Sequence, residues 1–213
     1  MSTVDQPVAL SKMRRAVVRT VMASANVPQY SISVDVPVAT VLAACNRARE
    51  STPGVSISDI INAAVVQALV AHPRVNSSFT DEGIVQHSAV NLAFIVEVAD
   101  GMVAPAILDA APRSMEELAS ERVRLTASAL AGSLRPAELL SGTFTVSNLG
   151  PLGVHRFNAM VLPPQAAILA IGAPTEAGFI SLTLTCDHRV VDGAPAARFL
   201  TEIVGRLAEG ISR

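Results

Sequence analysis

The sequence predicts a single α/β domain of the α+β type, a two-layer sandwich in which helices pack on one side of a mixed β-sheet. Three observations support this prediction. The chain has 213 residues, a length typical of one large domain. Half of its residues are hydrophobic and only 16% are charged, so a sizeable core is available. Helix-like and strand-like segments follow one another without a repeat or an obvious linker.

The first part of the chain is mostly helical, with one clear strand. Residues 1–9 are expected to form a disordered lead, and 10–213 the domain itself. The alternation in Tyr-Ser-Ile-Ser-Val-Asp-Val predicts a half-buried strand at 30–37. Pro and Gly residues after the helix-like segments mark their ends. Helices are predicted at 12–24, 38–50 and 58–71.

The second part is rich in strands and contains two further helices. Ser-Met-Glu-Glu at 114–117 is a capping box, which predicts a helix that begins there and runs to about Ala131. A final helix is predicted at 194–207. Strands are predicted at 75–80, 90–98, 102–108, 143–148, 166–171 and 180–186.

Composition excludes several classes of protein. The net charge is −2 and no basic block is present, which argues against a nucleic-acid partner. The chain contains no run of about eighteen apolar residues, so no membrane span is predicted. The N-terminus lacks a signal pattern, and a cytoplasmic location is expected. Two cysteines do not make a disulfide framework, which indicates a reducing compartment. The four histidines lack metal-ligand spacing, and no metal is expected.

The heptad Asp-His-Arg-Val-Val-Asp-Gly at 187–193 is the main candidate for chemistry. It lies between a predicted strand and a predicted helix, where a side chain is held firmly and can still face a cleft. Histidine changes charge near neutral pH, so His188 is a candidate general base. A lone histidine in a polar turn is more often incidental. Cys186 raises a Cys/His nucleophile alternative, although a buried thiol is the commoner role.

The heptad resembles the active-site signature of the 2-oxo acid dehydrogenase acyltransferases, the E2 or dihydrolipoamide acyltransferase family. Chloramphenicol acetyltransferases and peptide-synthetase condensation domains share the shorter pattern His-x-x-x-Asp-Gly. The resemblance extends from about Val8 to Leu207. Further segments similar to the family, in order, are Leu-Ser-Lys-Met-Arg-Arg at 10–15, Val-Pro-Gln-Tyr at 27–30, Val-Asn-Ser-Ser-Phe at 75–79, Gly-Met-Val-Ala-Pro at 101–105, Gly-Thr-Phe-Thr-Val-Ser-Asn-Leu-Gly at 142–150 and Pro-Pro-Gln-Ala-Ala-Ile-Leu-Ala-Ile-Gly at 163–172.

The resemblance implies a chloramphenicol-acetyltransferase-like fold and an acyl transfer between coenzyme A and a thiol such as dihydrolipoamide. It implies that His188 is the base, that Ser147 stabilises the oxyanion, and that Asp192 fixes the histidine loop by pairing with an arginine. Ser147 could otherwise belong to an ordinary strand-ending turn, since Ser, Asn and Gly all favour turns. The candidate arginines are Arg14, Arg15 and Arg19.

The resemblance also implies a homotrimer with active sites between subunits. Coenzyme A or acyl-CoA is the expected substrate, and a lipoyl-domain or carrier protein is expected to supply the lipoyl group in trans, alongside 2-oxo acid dehydrogenase partners. The chain is either an excised catalytic domain or a stand-alone enzyme. Its polar ending predicts no core larger than the trimer. The family more often has lysine at Asn62 and histidine at Gln29.

Two alternatives remain open at the level of sequence. The first is an O- or N-acyltransferase that uses acyl-CoA with a small-molecule acceptor. The second is a catalytically weak trimeric scaffold for partner enzymes. The sequence does not specify which acyl group is carried.

Overall fold

A computed structural model describes Gln6 and residues 8–211 of the chain. Residues 1–5 and 7 of the predicted disordered lead lie outside the described residues. The helices are α1 (Lys12–Ala25), α2 (Val38–Arg49), α3 (Ile57–Ala71), α4 (Met115–Leu130), α5 (Pro136–Leu140) and α6 (Gly193–Glu209). The strands are β1 (Gln29–Pro37), β2 (Ser77–Thr80), β3 (Gly83–Gln86), β4 (Leu92–Phe94), β5 (Val96–Val98), β6 (Gly101–Val103), β7 (Ala106–Ile107), β8 (Phe144–Asn148), β9 (Ala167–Ile171) and β10 (Phe179–Asp187).

Six strands form one mixed sheet in the order β1-β10-β9-β8-β4-β7. β8 runs parallel to β9 and to β4, and the other neighbouring strands are antiparallel. β1 and β10 pair along their full length, from Gln29 opposite Asp187 to Pro37 opposite Phe179. The start of β1 therefore lies beside the end of β10, where the chain enters the heptad.

Strand alternation gives the sheet one apolar face and one polar face. Leu182 and Leu184 of β10 belong to the hydrophobic core, whereas Thr183 and Thr185 point to the opposite face. α3 packs against α2, α4 and α6, and α2 and α6 also contact β1. Phe199 of α6 is among the largest fully buried side chains. The predicted mixed sheet with helices on one side is thus confirmed.

Several local predictions require correction. The predicted strand at 90–98 is two strands, because β4 joins the main sheet while β5 leaves it to pair with β6. The predicted strand at 102–108 is also divided, since Pro105 has no N–H to continue a ladder. β3 and α5 were not predicted. The capping box is confirmed, with Ser114 Oγ accepting from Glu117 N at 3.2 Å and Glu117 Oε2 accepting from Ser114 N at 2.7 Å.

A buried ion pair joins α3 to α4. The side chain of Asp59 is 2% exposed and accepts from Arg122 Nε at 2.5 Å and Arg122 Nη2 at 3.2 Å. The same carboxylate accepts from Ser56 N at 3.0 Å and Ser56 Oγ at 2.6 Å. Burial alone would raise the pKa of Asp59, but the hydrogen bonds from Arg122 and Ser56 outweigh it and hold that pKa below its ordinary value.

Arg122→Met is expected to lower the free energy of unfolding by about 3 kcal/mol at neutral pH, because it removes the charged partner of the buried Asp59 carboxylate and leaves it only the hydrogen bonds from Ser56. We expect the lower end of the usual range, since Arg122 is 25% exposed and water can partly replace it. Urea denaturation measures the difference. Because the folded pKa of Asp59 is lowered, the wild-type advantage should shrink as the pH falls below about 4. Arg198→Met, an exposed arginine on α6, is the matched control, and an equal loss there would contradict this account.

Candidate active site

His188 is the first residue after β10 and lies at the end of that strand, which pairs with β1 on one side and β9 on the other. Its backbone N–H donates to Pro28 O at 2.8 Å, which ties the turn to the segment before β1. Its side chain is 55% exposed. The imidazole is therefore anchored through its backbone and remains accessible to a substrate.

Tyr30 supports one side of the His188 ring. The ring centroids are 4.6 Å apart with an interplanar angle of 49°. The Tyr30 hydroxyl donates to Val191 O at 3.1 Å, inside the heptad. Burial raises the pKa of Tyr30, with smaller contributions from Cys186 and Asp192, so the phenol stays neutral and keeps its proton for this bond. Tyr30 was not singled out from the sequence.

Asp192 does not form a hydrogen-bonded triad with His188. Its Oδ1 lies 3.7 Å from His188 Nδ1, beyond hydrogen-bond range, and its side chain is 72% exposed. Asp192 occupies the N-cap position of α6 but makes no side-chain capping bond. Within the described part of one chain, Asp192 forms no ion pair with Arg14, Arg15 or Arg19, the candidate partners. The arginine pairing of Asp192 stays a prediction.

The arginine that fixes the heptad within one chain is Arg189, bound to Asp187. The Asp187 side chain is 2% exposed and accepts from Arg189 N at 3.0 Å, Arg189 Nε at 2.9 Å and Arg189 Nη2 at 2.7 Å. The guanidinium also lies 3.9 Å from the centroid of the Phe79 ring. Arg74 Nε donates to Val190 O at 2.6 Å. These contacts hold the peptide on both sides of His188.

Ser147 is a buried residue of β8, 8% exposed. The next residue, Asn148, donates from Nδ2 to Ser58 Oγ at 3.0 Å and accepts from Gly150 N at 2.9 Å. Gly150 of this turn lies so close to Gly172 that a Cβ on Gly150 would be 3.0 Å from Gly172 O. The turn after Ser147 is thus fixed by side-chain and backbone contacts.

One chain does not bring Ser147 and His188 together. Ser147 pairs with Ala170 of β9, and Ala170 pairs with Thr183 of β10. His188 is five residues beyond Thr183 and two strands from Ser147. At about 3.3 Å per residue and 4.8 Å per strand, the two side chains are roughly 15–20 Å apart. A site that uses both residues therefore has to combine two copies of the chain.

Cys186 is unsuited to act as the nucleophile. It is fully buried on the apolar face of the sheet. Burial raises the pKa of its thiol to about 12, even though a hydrogen bond with Tyr30 acts in the opposite direction. The thiolate is therefore absent near neutral pH, and the Cys/His alternative is disfavoured.

Among the described residues, no group of three or more His, Cys, Asp or Glu side chains could hold a metal ion. Within the same part of the chain, none of the helices is long and apolar enough to cross a membrane.

A family model and curated relatives of this chain point to the same family. Residues 3–211 match the 2-oxoacid dehydrogenases acyltransferase (catalytic domain) family. The dihydrolipoyllysine-residue acetyltransferase component of the pyruvate dehydrogenase complex from Zymomonas mobilis is 35% identical over 215 residues, 93% of this chain and 49% of that protein. The chain spans half or less of the length of the first curated relatives that it matches.

Solved structures agree with this result. A probable dihydrolipoamide acetyltransferase from Listeria monocytogenes has a TM-score of 0.88 at 26% identity, covering 98% of this chain and 96% of that one. The dihydrolipoamide acetyltransferase of Azotobacter vinelandii has a TM-score of 0.84 at 25% identity, covering 97% and 92%. It was solved in a study of a serine, a histidine and an asparagine in its catalytic mechanism. Chloramphenicol acetyltransferase, at 15% identity and a TM-score of 0.58, shares the fold over 89% of this chain and 94% of its own.

Proposed function

The chain belongs to the 2-oxoacid dehydrogenases acyltransferase (catalytic domain) family, and from that membership we propose that it moves an acyl group between coenzyme A and a thiol acceptor such as dihydrolipoamide. The observation that carries the proposal is the geometry of His188. A half-exposed imidazole, supported by Tyr30 and anchored by its turn, is suited to exchange protons with a bound thiol.

The chemistry needs a proton carrier and an anion stabiliser. Neutral His188 takes the proton of the attacking thiol, and the resulting thiolate forms a bond to the carbonyl carbon of the thioester. The carbonyl oxygen becomes an oxyanion, to which the Ser147 hydroxyl donates. When the intermediate collapses, the original C–S bond breaks. The leaving thiolate then recovers the proton from His188.

We infer that each site is shared between two copies of the chain. The separation of Ser147 from His188 along the sheet supports this inference, because neither residue reaches the other within one chain. Closed cyclic symmetry would repeat the same pairing at every interface, and we propose a homotrimer. Light scattering on the purified protein gives the mass, and a monomer would contradict a shared site.

Asp192 is proposed as a positioning residue. In the Azotobacter enzyme the asparagine named for the mechanism lies four residues after the histidine, the spacing of Asp192 from His188. An amide cannot supply the negative charge of a triad carboxylate. The 3.7 Å separation in this chain also supports a role in holding the loop rather than in proton transfer.

The lipoyl group and the complex partners are further proposals. We propose that a lipoyl-domain or carrier protein delivers the group in trans, and that 2-oxo acid dehydrogenase partners supply the acyl unit. The relatives are components of pyruvate dehydrogenase complexes, which makes acetyl the first acyl group to test. The free, buried thiols of Cys45 and Cys186 fit a reducing compartment such as the cytoplasm.

A thiol-exchange assay tests the proposed activity. Purified protein is expected to transfer acetyl from acetyl-CoA to dihydrolipoamide, and free CoA thiol is measured together with the acetylated product. The same assay is run with a panel of alcohols and amines, and with succinyl and branched acyl-CoA donors. Faster transfer to a hydroxyl or amine acceptor would replace the proposal with the O- or N-acyltransferase alternative. Loss of every transfer would favour the scaffold alternative.

A further inference from the structure

Three consecutive residues, Pro28, Gln29 and Tyr30, adjoin the turn that carries His188. Pro28 O accepts from the backbone N–H of His188 at 2.8 Å. The Tyr30 ring lies 4.6 Å from the His188 ring, centroid to centroid. Gln29 stands between these two supports, opposite Asp187 in the ladder that joins β1 to β10. A shift of Gln29 would therefore move both supports of the imidazole.

The side chain of Gln29 joins three segments of the chain. Its Nε2 donates to Ser24 O at 2.7 Å and to Ser24 Oγ at 3.2 Å, and its Oε1 accepts from Val161 N at 2.9 Å. Ser24 Oγ in turn donates to Val161 O at 2.6 Å. This closed set of hydrogen bonds, the amide clamp Ser24–Gln29–Val161, connects the last turn of α1, the start of β1 and the segment that ends at Val161.

A primary amide suits this clamp better than other side chains of its shape. Val161 N–H can only donate and Ser24 O can only accept, so the group between them has to offer both functions. The glutamine amide has a carbonyl acceptor and two N–H donors, and both donors are used by Ser24. Ser24 is 1% exposed and Val161 is fully buried, so water cannot readily replace a lost bond.

The clamp also fixes the segment 154–161, which leads from the turn after Ser147 and lies outside the helices and strands. Near its start, Arg156 Nη2 donates to Asp35 Oδ1 at 2.6 Å. Among the described residues, the backbone from 155 to 160 forms no hydrogen bond with another backbone group. The amide clamp is thus the attachment that holds the end of this segment against the start of β1, beside His188.

We propose that Gln29 is a positioning residue of the acyl-transfer site, and the proposal rests on the proposed function. Its amide holds the start of β1 in place, and through Pro28 and Tyr30 it sets the position of His188. Side chains alternate along a strand, so Gln29 points to the face opposite Tyr30 and acts on the imidazole indirectly. A misplacement of about 1 Å can cost about 10²-fold in rate, so the clamp is expected to affect kcat more than KM.

Gln29→Glu tests this role, because glutamate has the same shape and can be titrated. At a pH of about 8 the carboxylate has no donor for Ser24 O, and we expect kcat about tenfold below wild type with KM within about twofold. The protonated carboxyl donates to Ser24 O and still accepts from Val161 N. The ratio of variant to wild-type kcat should therefore rise as the pH falls from about 8 to about 6, since part burial and the Ser24 oxygen favour the protonated form.

Two further variants and a second readout make the test specific. Gln86→Glu makes the same change at an exposed position of β3, and its kcat ratio should stay near one at every pH. Ser24→Ala removes two hydrogen bonds of the clamp with a smaller side chain and is expected to lower kcat about threefold. If Gln29→Glu does not fold, as judged by circular dichroism, Ser24→Ala decides the outcome. NMR of the His188 imidazole, compared with wild type at the same pH, should show a shift in Gln29→Glu that diminishes on acidification.

The outcomes separate this proposal from the proposed function. Wild-type protein without transfer would contradict the acyl-transfer activity, while the His188 resonances would still test the clamp. A folded Gln29→Glu with wild-type kcat and unchanged His188 resonances would overturn the positioning role. A lowered kcat whose ratio to wild type does not change with pH would overturn it as well, because the loss would then not depend on the missing donor.

Discussion

His188→Ala is expected to lower kcat for acyl transfer by roughly 10²–10⁴-fold, the range typical of losing a general base. Cys186 does not replace the imidazole, because it is buried with a pKa raised to about 12. Asp192 Oδ1 lies 3.7 Å from His188 Nδ1 and is proposed to position the loop. Steady-state transfer from acetyl-CoA to dihydrolipoamide measures the change.

The fold and the assembly should survive this substitution. The His188 side chain is 55% exposed, and the bonds that fix the turn come from its backbone and from Asp187, Arg189 and Arg74. Circular dichroism and molecular mass should therefore match wild type. His72→Gln, a histidine at the end of α3, is the matched control and should retain turnover. Near wild-type turnover in His188→Ala would show that His188 is not the general base.

Ser147→Ala is expected to lower kcat about 10²–10³-fold with a smaller change in KM, because a donor to the oxyanion acts most strongly in the transition state. Since Ser147 is buried and alanine is smaller, we expect the fold to tolerate the change. Ser128→Ala on α4 provides the control for a lost serine hydroxyl. A change confined to KM would show that Ser147 contributes to binding and not to catalysis.

Mixing the two inactive variants tests whether the site is shared. We expect each site to take His188 from one copy and Ser147 from another. At an interface between the two variants, the Ser147→Ala chain then supplies an intact His188 and the His188→Ala chain an intact Ser147. Random reassembly of equal amounts should restore about a quarter of the sites in a cyclic assembly. The separation of roughly 15–20 Å within one chain supports this expectation. Activity that stays at the level of the separate variants would contradict the shared site.

Local patterns were sufficient for much of the architecture. β10 alternates apolar and polar residues, α3 is apolar along most of its length, and the capping box at Ser114 fixes the start of α4 through contacts three residues apart. The heptad around His188 and the other segments that resemble the family, from 10–15 to 163–172, are short runs of neighbouring residues, and together they indicated the family. These features depend on residues that are neighbours in the chain, so they could be predicted from the sequence.

Only the tertiary structure decided which distant groups meet. The sequence left three candidate arginines for Asp192 and did not indicate that Arg189 pairs with Asp187 or that Tyr30 stacks on His188. The structure also separates Ser147 from His188 within one chain. Strand register and helix packing set these relations. Both depend on how segments far apart in the chain pack against one another, which a local sequence pattern does not predict.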